Sequence, residues 1–215
     1  MSTSKNYVRL TALLIIAWLA FSITASKLLV FDAGTPLPLG LAVVAPIALF
    51  AIWFAISPQF RQFALSLNPV ALTIAQTWRI VGITFVVLAS FGVLPNIFAQ
   101  PAGWGDFAIG LTAPFVAYYL TRAGHKQSFI AWNLAGILDL VIAVALGVSA
   151  SPALAGGLHP AVTTEAVTVL PLSLIPTFAV PLFLILHVIG IAQAARWETS
   201  TASRFTRSAV HVPLA

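Results

Sequence analysis

The sequence predicts an all-α, polytopic membrane protein of six transmembrane helices, and three observations carry that prediction. Only 7% of the 215 residues are charged and 60% are hydrophobic, whereas a soluble domain carries about 25% charged residues. The mean hydropathy is +1.02. The apolar residues also fall into runs of roughly 20, the length a helix needs to cross the hydrocarbon of a bilayer.

Six runs qualify in chain order: Val8 to Val30, Leu39 to Ile56, Ala71 to Leu94, Trp104 to Leu120, Phe129 to Gly147, and Val169 to Ala194. The first follows Lys5 and Arg9 as a signal peptide would, but it is long and resumes at Leu28, Leu29 and Val30. An uncleaved helix is expected there. Turn chemistry separates the runs: Gly34, Thr35 and Pro36; Ser57, Pro58 and Gln59; Pro95 and the stretch Pro101 to Gly105; Gly124 to Gln127; and Ser149 to Pro160 with Gly156 and Gly157. The runs are too continuous for the alternating ten-residue strands of a membrane barrel.

Charge sets the expected orientation. With the N-terminus in the cytoplasm, Lys5, Arg9, Arg61, Arg122, Lys126, Arg196, Arg204 and Arg207 face inward, eight of the ten Lys and Arg. Asp32, Asp106 and Glu165 then fall on the far side, as the excess of Lys and Arg in cytoplasmic loops requires. An even number of spans returns the C-terminus inside. The chain therefore reads as a transmembrane domain over residues 1–195 and a short basic cytoplasmic tail over 196–215, in a multi-pass protein of the cell inner membrane. The net charge of +5 is accounted for by these loops, so nucleic acid is not an expected partner. The expected partners are the bilayer, a small-molecule ligand and a second copy of the chain.

The spans suggest three hairpins of common plan. Trp18 with Ser22, Trp78 with Gly82 and Trp132 with Gly136 each place a small residue one turn after a tryptophan. Pro46, Pro114 and Pro181 fall at similar places in the alternate spans. Such spacing reads as a repeat of parallel topology.

An ionisable side chain inside a span costs roughly 2.5 to 3.5 kcal/mol on insertion scales and marks a candidate site. Arg79, Asp139 and His187 are the three. At about 1.5 Å per residue they lie roughly 12, 15 and 10 Å from the inner ends of their helices, one layer drawn from three spans. Gln76 sits a turn from Arg79, and Asn133 sits below Asp139. These five residues form the expected binding site, with an Arg79–Asp139 pair at its centre, because neither charge finds water in lipid. Asp106, at the opening of the fourth span, is expected to cap free N–H groups; the alternative is a second, outer site of Asp106 with Asn96, Gln100 and Lys27.

No cysteine and only four histidines are present, so no metal site is expected, and no motif assigns a cofactor. There is no P-loop, no H-E-x-x-H and no G-x-G-x-x-G. The leading expectation is transport or binding of a small solute at the buried polar site, with proton coupling as one form of it. The alternatives are a membrane-embedded enzyme acting on a lipid or isoprenoid, with Asp139 and His187, or Asp106, as acid and base, and a structural or accessory subunit whose ion pair packs helices.

Overall fold

The computed structural model describes residues 2–32, 34–154 and 162–197. Among these residues it contains seven helices and no strand. They are α1 (Ser2–Lys27), α2 (Leu37–Ile56), α3 (Pro58–Ser66), α4 (Pro69–Ser90), α5 (Asn96–Tyr119), α6 (Lys126–Ser149) and α7 (Ile175–Ala195). Residues 198–215, with Arg204, Arg207 and His211, lie outside the described residues, as do Gly156, Gly157 and His159. The expected basic tail is therefore described only at Arg196 and Trp197.

Five helices are long and apolar enough to cross a membrane: α1 from Asn6, α2, α4, α6 and α7. The expectation of six is corrected at α5. Its 24 residues suffice in length, but the helix starts at Asn96 rather than Trp104 and takes in Gln100, Pro101 and three glycines. This lower hydropathy is compatible with its place between α4 and α6, where ten of its residues are buried. The seventh helix, α3, falls where only a loop was expected. Ser57 caps it, its hydroxyl accepting from the Phe60 N–H at 3.2 Å, and Pro58 opens it. At nine residues it is too short to span a bilayer. It buries Phe60, Phe63 and Ala64, with Trp53 stacked on Phe60 at 3.8 Å and Tyr7 on Phe63 at 5.5 Å.

Helix ends explain the other shifts in boundary. α1 stops at Lys27 because Leu29 adopts a left-handed conformation (φ 57°). The Val30 N–H then reaches back to Ala25 O and the Leu29 N–H to Ser26 O, the hydrogen-bond pattern of a Schellman cap. Gly92 (φ 70°) ends α4 in the same way, with Val93 bonded to Leu88 and Gly92 to Ala89.

Two helices depart from α geometry. α4 tightens to a 3-10 helix over Gln76–Gly82, and α7 begins with a π turn over Ile175–Ala179. Pro181 has no N–H to offer the carbonyl four residues back, that of Thr177. Trp18 Nε1 donates to that oxygen at 3.0 Å and Ser22 Oγ at 3.4 Å. One turn on, Ser173 Oγ and Ser26 Oγ are 2.8 Å apart. α1 is thus held to α7 by a polar seam along one face, and exposes Leu13, Ile16 and Phe21 on the other.

Helices α4 to α7 form the centre. One apolar core gathers Phe85, Leu94, Phe98 and Ala143; another, toward the opposite end, joins Val116, Phe129 and Ala194. Between them lies a buried polar layer.

Candidate functional site

The polar layer is built on Arg79, whose side chain is fully buried. It projects from the 3-10 segment of α4. Its Nε donates to Asp106 Oδ1 on α5 at 2.7 Å, and its Nη2 is paired with Asp139 Oδ2 on α6. Nη1 faces two acceptors, Gly136 O at 3.3 Å and His187 Nε2 on α7 at 3.0 Å. A guanidinium has five N–H donors, and four of these find partners here. Each central helix supplies at least one partner or the arginine itself.

The arginine determines the state of the histidine. A guanidinium donates and never accepts, so His187 Nε2 accepts and carries no proton. The ring is then neutral, with its proton on Nδ1, which donates to Asn133 Oδ1 at 2.9 Å. Asn133 Nδ2 in turn donates to Phe129 O at 2.8 Å. Counted with both carboxylates ionised, the cluster holds one cation and two anions, one formal negative charge in excess. Asp106 Oδ1 and Asp139 Oδ2 are the carboxylate oxygens bonded to the arginine; the described residues offer the other two no hydrogen bond.

Four of these side chains, those of Asp106, Asp139, His187 and Asn133, sit where a neighbouring helix has a glycine. A Cβ at Gly82 would collide with Asp106, one at Gly105 with Asp139, one at Gly136 with the His187 ring, and one at Gly190 would lie 2.9 Å from Asn133 Oδ1. A Cβ at Gly110 would come within 2.5 Å of Ile80 N, so α5 presses on the α4 backbone beside Arg79. Small residues permit this approach between apolar helices.

The layer expected from the sequence forms in part as drawn. Arg79, Asp139 and His187 meet, and Asn133 joins through the histidine. Gln76 is buried but turns to another partner, donating from Nε2 to Phe183 O at 3.2 Å. Asp106 is not an outer cap. It lies midway along α5 in contact with Arg79, about 15 Å along the helix from Asn96, while Asn96 pairs with Gln100 at 3.3 Å on the exposed first turns. The expected grouping of Asp106 with Asn96 is corrected accordingly. Trp132, adjacent to Asn133, lies 5.4 Å from the His187 ring and donates to Thr112 Oγ1 at 3.0 Å. Arg79 fills the space between the carboxylates and the imidazole, and no group of three His, Asp or Glu among the described residues is arranged to hold a metal.

Two cavities reach the cluster. One, of about 600 Å³, opens between α1, α4 and α7; Leu19, Trp78, Phe178 and Leu186 line it, with Arg79 and Asp106 as its charged residues. The other, of about 190 Å³, runs from Asp106 past Phe85 and Val43 toward Asp32, Thr35 and Glu165. Asp106, Leu140, Ile175 and Val180 belong to both walls. Asp139 and His187 belong to neither.

No curated protein and no solved structure matches this chain. Residues 36–195 match a family described as a domain of unknown function, DUF8737; the match covers α2 to α7 and with them every residue of the polar layer, and the chain belongs to that family.

Proposed function

We propose that the protein is a multi-pass protein of the cell inner membrane that binds a small solute at the buried cluster and passes it through the bundle. The observation that carries this reading is the position of Asp106, which belongs at once to the ion cluster and to the walls of both cavities. A charge network that only packed helices would need one carboxylate for one arginine. The second carboxylate, set on a cavity wall, suits a binding site. The enzyme reading is less supported, because Asp139 and His187 line neither cavity, and Asp106 has no second acid–base group beside it among the described residues of the larger one.

The two cavities back onto each other across Leu140 and Val180, which pack with Val43 as a small apolar cluster. Passage from one to the other requires that partition to part. The π turn and Pro181 of α7 adjoin Val180, and such irregular turns serve as hinges.

The membrane reading draws on the outer faces, where Leu13, Leu49, Ile56 and Trp78 are more than half exposed, an apolar surface that a soluble monomer does not present. Taking α5 as a sixth crossing, the links of a few residues on either side of it lay it antiparallel to α4 and α6. Arg61, Arg122, Lys126 and Arg196 then gather at one end, and Asp32 and Glu165 at the other with Lys27, which supports a cytoplasmic position for both termini.

The test is binding. The purified protein in phosphatidylcholine nanodiscs is titrated with decanol, and its thermal unfolding midpoint is followed. The proposal expects a saturable rise, since a ligand that binds only the folded state stabilises it, and expects Leu182→Trp, which adds bulk to the wall of the larger cavity, to weaken it. No saturable rise for decanol or for charged chains of the same length counts against the proposal.

A further inference from the structure

The chemistry of the larger cavity narrows the class of ligand. Three features of the wall bear on it. Arg79 has four of its five N–H donors engaged within the protein, so it is poorly placed to recognise an incoming anion. With both carboxylates ionised, the cluster behind the wall carries one negative charge more than positive. Asp106, buried but for 8% of its surface, presents that charge to the cavity with one carboxylate oxygen free of hydrogen bonds among the described residues. The rest of the wall is apolar and aromatic, including Trp78, Phe178 and Phe183, and aromatic faces attract a cation stripped of water.

We infer that the ligand is a lipophilic monocation, an ammonium group on an apolar body, held with its charge against Asp106 and its body among the aromatic and aliphatic side chains. Binding would bring the formal charge of the layer to zero. An anionic amphiphile of the same shape would meet the carboxylate as a like charge, and a neutral one would leave the excess charge uncompensated.

The inference rests on the cavity being a ligand site, and the test separates the two. Decyltrimethylammonium, decanol and decanoate are compared by equilibrium dialysis against the full-length protein in phosphatidylcholine nanodiscs, with empty nanodiscs subtracted. A charge-assisted contact is worth enough to favour the cation over the alcohol by about tenfold or more, with decanoate weakest. Asp106→Asn should bring the cation down to the alcohol. Because the wild-type comparison needs no variant, a poorly folding Asp106→Asn does not leave the inference unexamined. Equal binding of the cation and the alcohol, or tighter binding of decanoate, overturns the cationic ligand while leaving the cavity a ligand site. Absence of binding by all three overturns both.

Discussion

His187 Nε2 lies 3.0 Å from Arg79 Nη1, a contact in which the imidazole must be the acceptor. The histidine is therefore held as the neutral Nδ1–H tautomer, oriented by Asn133. Nitrogen-15 NMR of histidine-labelled protein at neutral pH should show a protonated Nδ1 and a bare Nε2 for His187. Asn133→Leu, which removes the acceptor for Nδ1–H, should blur that signature. An Nε2–H tautomer in the wild type would mean that the contact with Arg79 is not made.

The glycines facing the polar layer make a stability prediction with an internal control. Gly136→Ala places a methyl group against the His187 ring, and Gly82→Ala places one on Asp106. Overpacking of this kind costs about 1 to 3 kcal/mol, read as a fall in the unfolding midpoint in nanodiscs. Gly40, on the first turn of α2, has nothing within 4 Å of where a Cβ would stand. Gly40→Ala should be neutral or slightly stabilising.

The bond from Trp18 to Thr177 O is predicted to be coupled to Pro181. Trp18→Phe should cost about 0.6 kcal/mol, the average for a side-chain hydrogen bond between membrane helices. The cost should shrink in a Pro181→Ala background, where the substituted residue has a backbone N–H to offer that carbonyl. A double-mutant cycle on thermal stability measures the difference; two strictly additive losses would show that the indole is not compensating for the proline.

Orientation can be read on an unmodified background, because the chain has no cysteine. Single cysteines at Arg122 and at Glu165 should react with a membrane-impermeant maleimide from opposite sides. Arg122→Cys should label only in inside-out vesicles and Glu165→Cys only in right-side-out ones. Labelling of both from one side would remove α6, the one helix between them, as a crossing.

Much of the architecture was legible because length and hydropathy act over whole helices. The common depth of Arg79, Asp139 and His187 was legible for the same reason: rise per residue along a helix is fixed, so counting from each end ranks side chains by height. What misled was Pro101, Gly103 and Gly105. They resemble a turn, but Pro101 falls near the start of α5, and the glycines serve close packing: a Cβ at Gly103 would crowd Val86, and one at Gly105 would meet Asp139. With α5 starting at Asn96, the same counting brings Asp106 to the height of Arg79. The spacing of Trp78 to Gly82 and Trp132 to Gly136 did carry a signal of the site, since both glycines seat a polar partner. The tryptophans themselves play unequal parts: Trp18 and Trp132 donate hydrogen bonds, while Trp78 is 71% exposed. α3 was missed because nine amphipathic residues between two apolar runs look like a loop when only spans are counted.

The central claim is that one buried arginine is balanced against two carboxylates, and a charge-removal series tests it most directly. Arg79→Met leaves both carboxylates without their cation and should cost about 3 to 5 kcal/mol, the range for breaking a buried pair. Asp106→Asn leaves a balanced Arg79–Asp139 pair and should cost much less. Adding Asp139→Asn alone to Arg79→Met still leaves Asp106 unpaired and should restore stability only in part. The triple variant Arg79→Met, Asp106→Asn, Asp139→Asn should recover most of the loss. Unfolding midpoints in nanodiscs that rise from Arg79→Met through Arg79→Met, Asp139→Asn to the triple variant, with Asp106→Asn close to wild type, support the account, and a triple variant no more stable than Arg79→Met alone contradicts it.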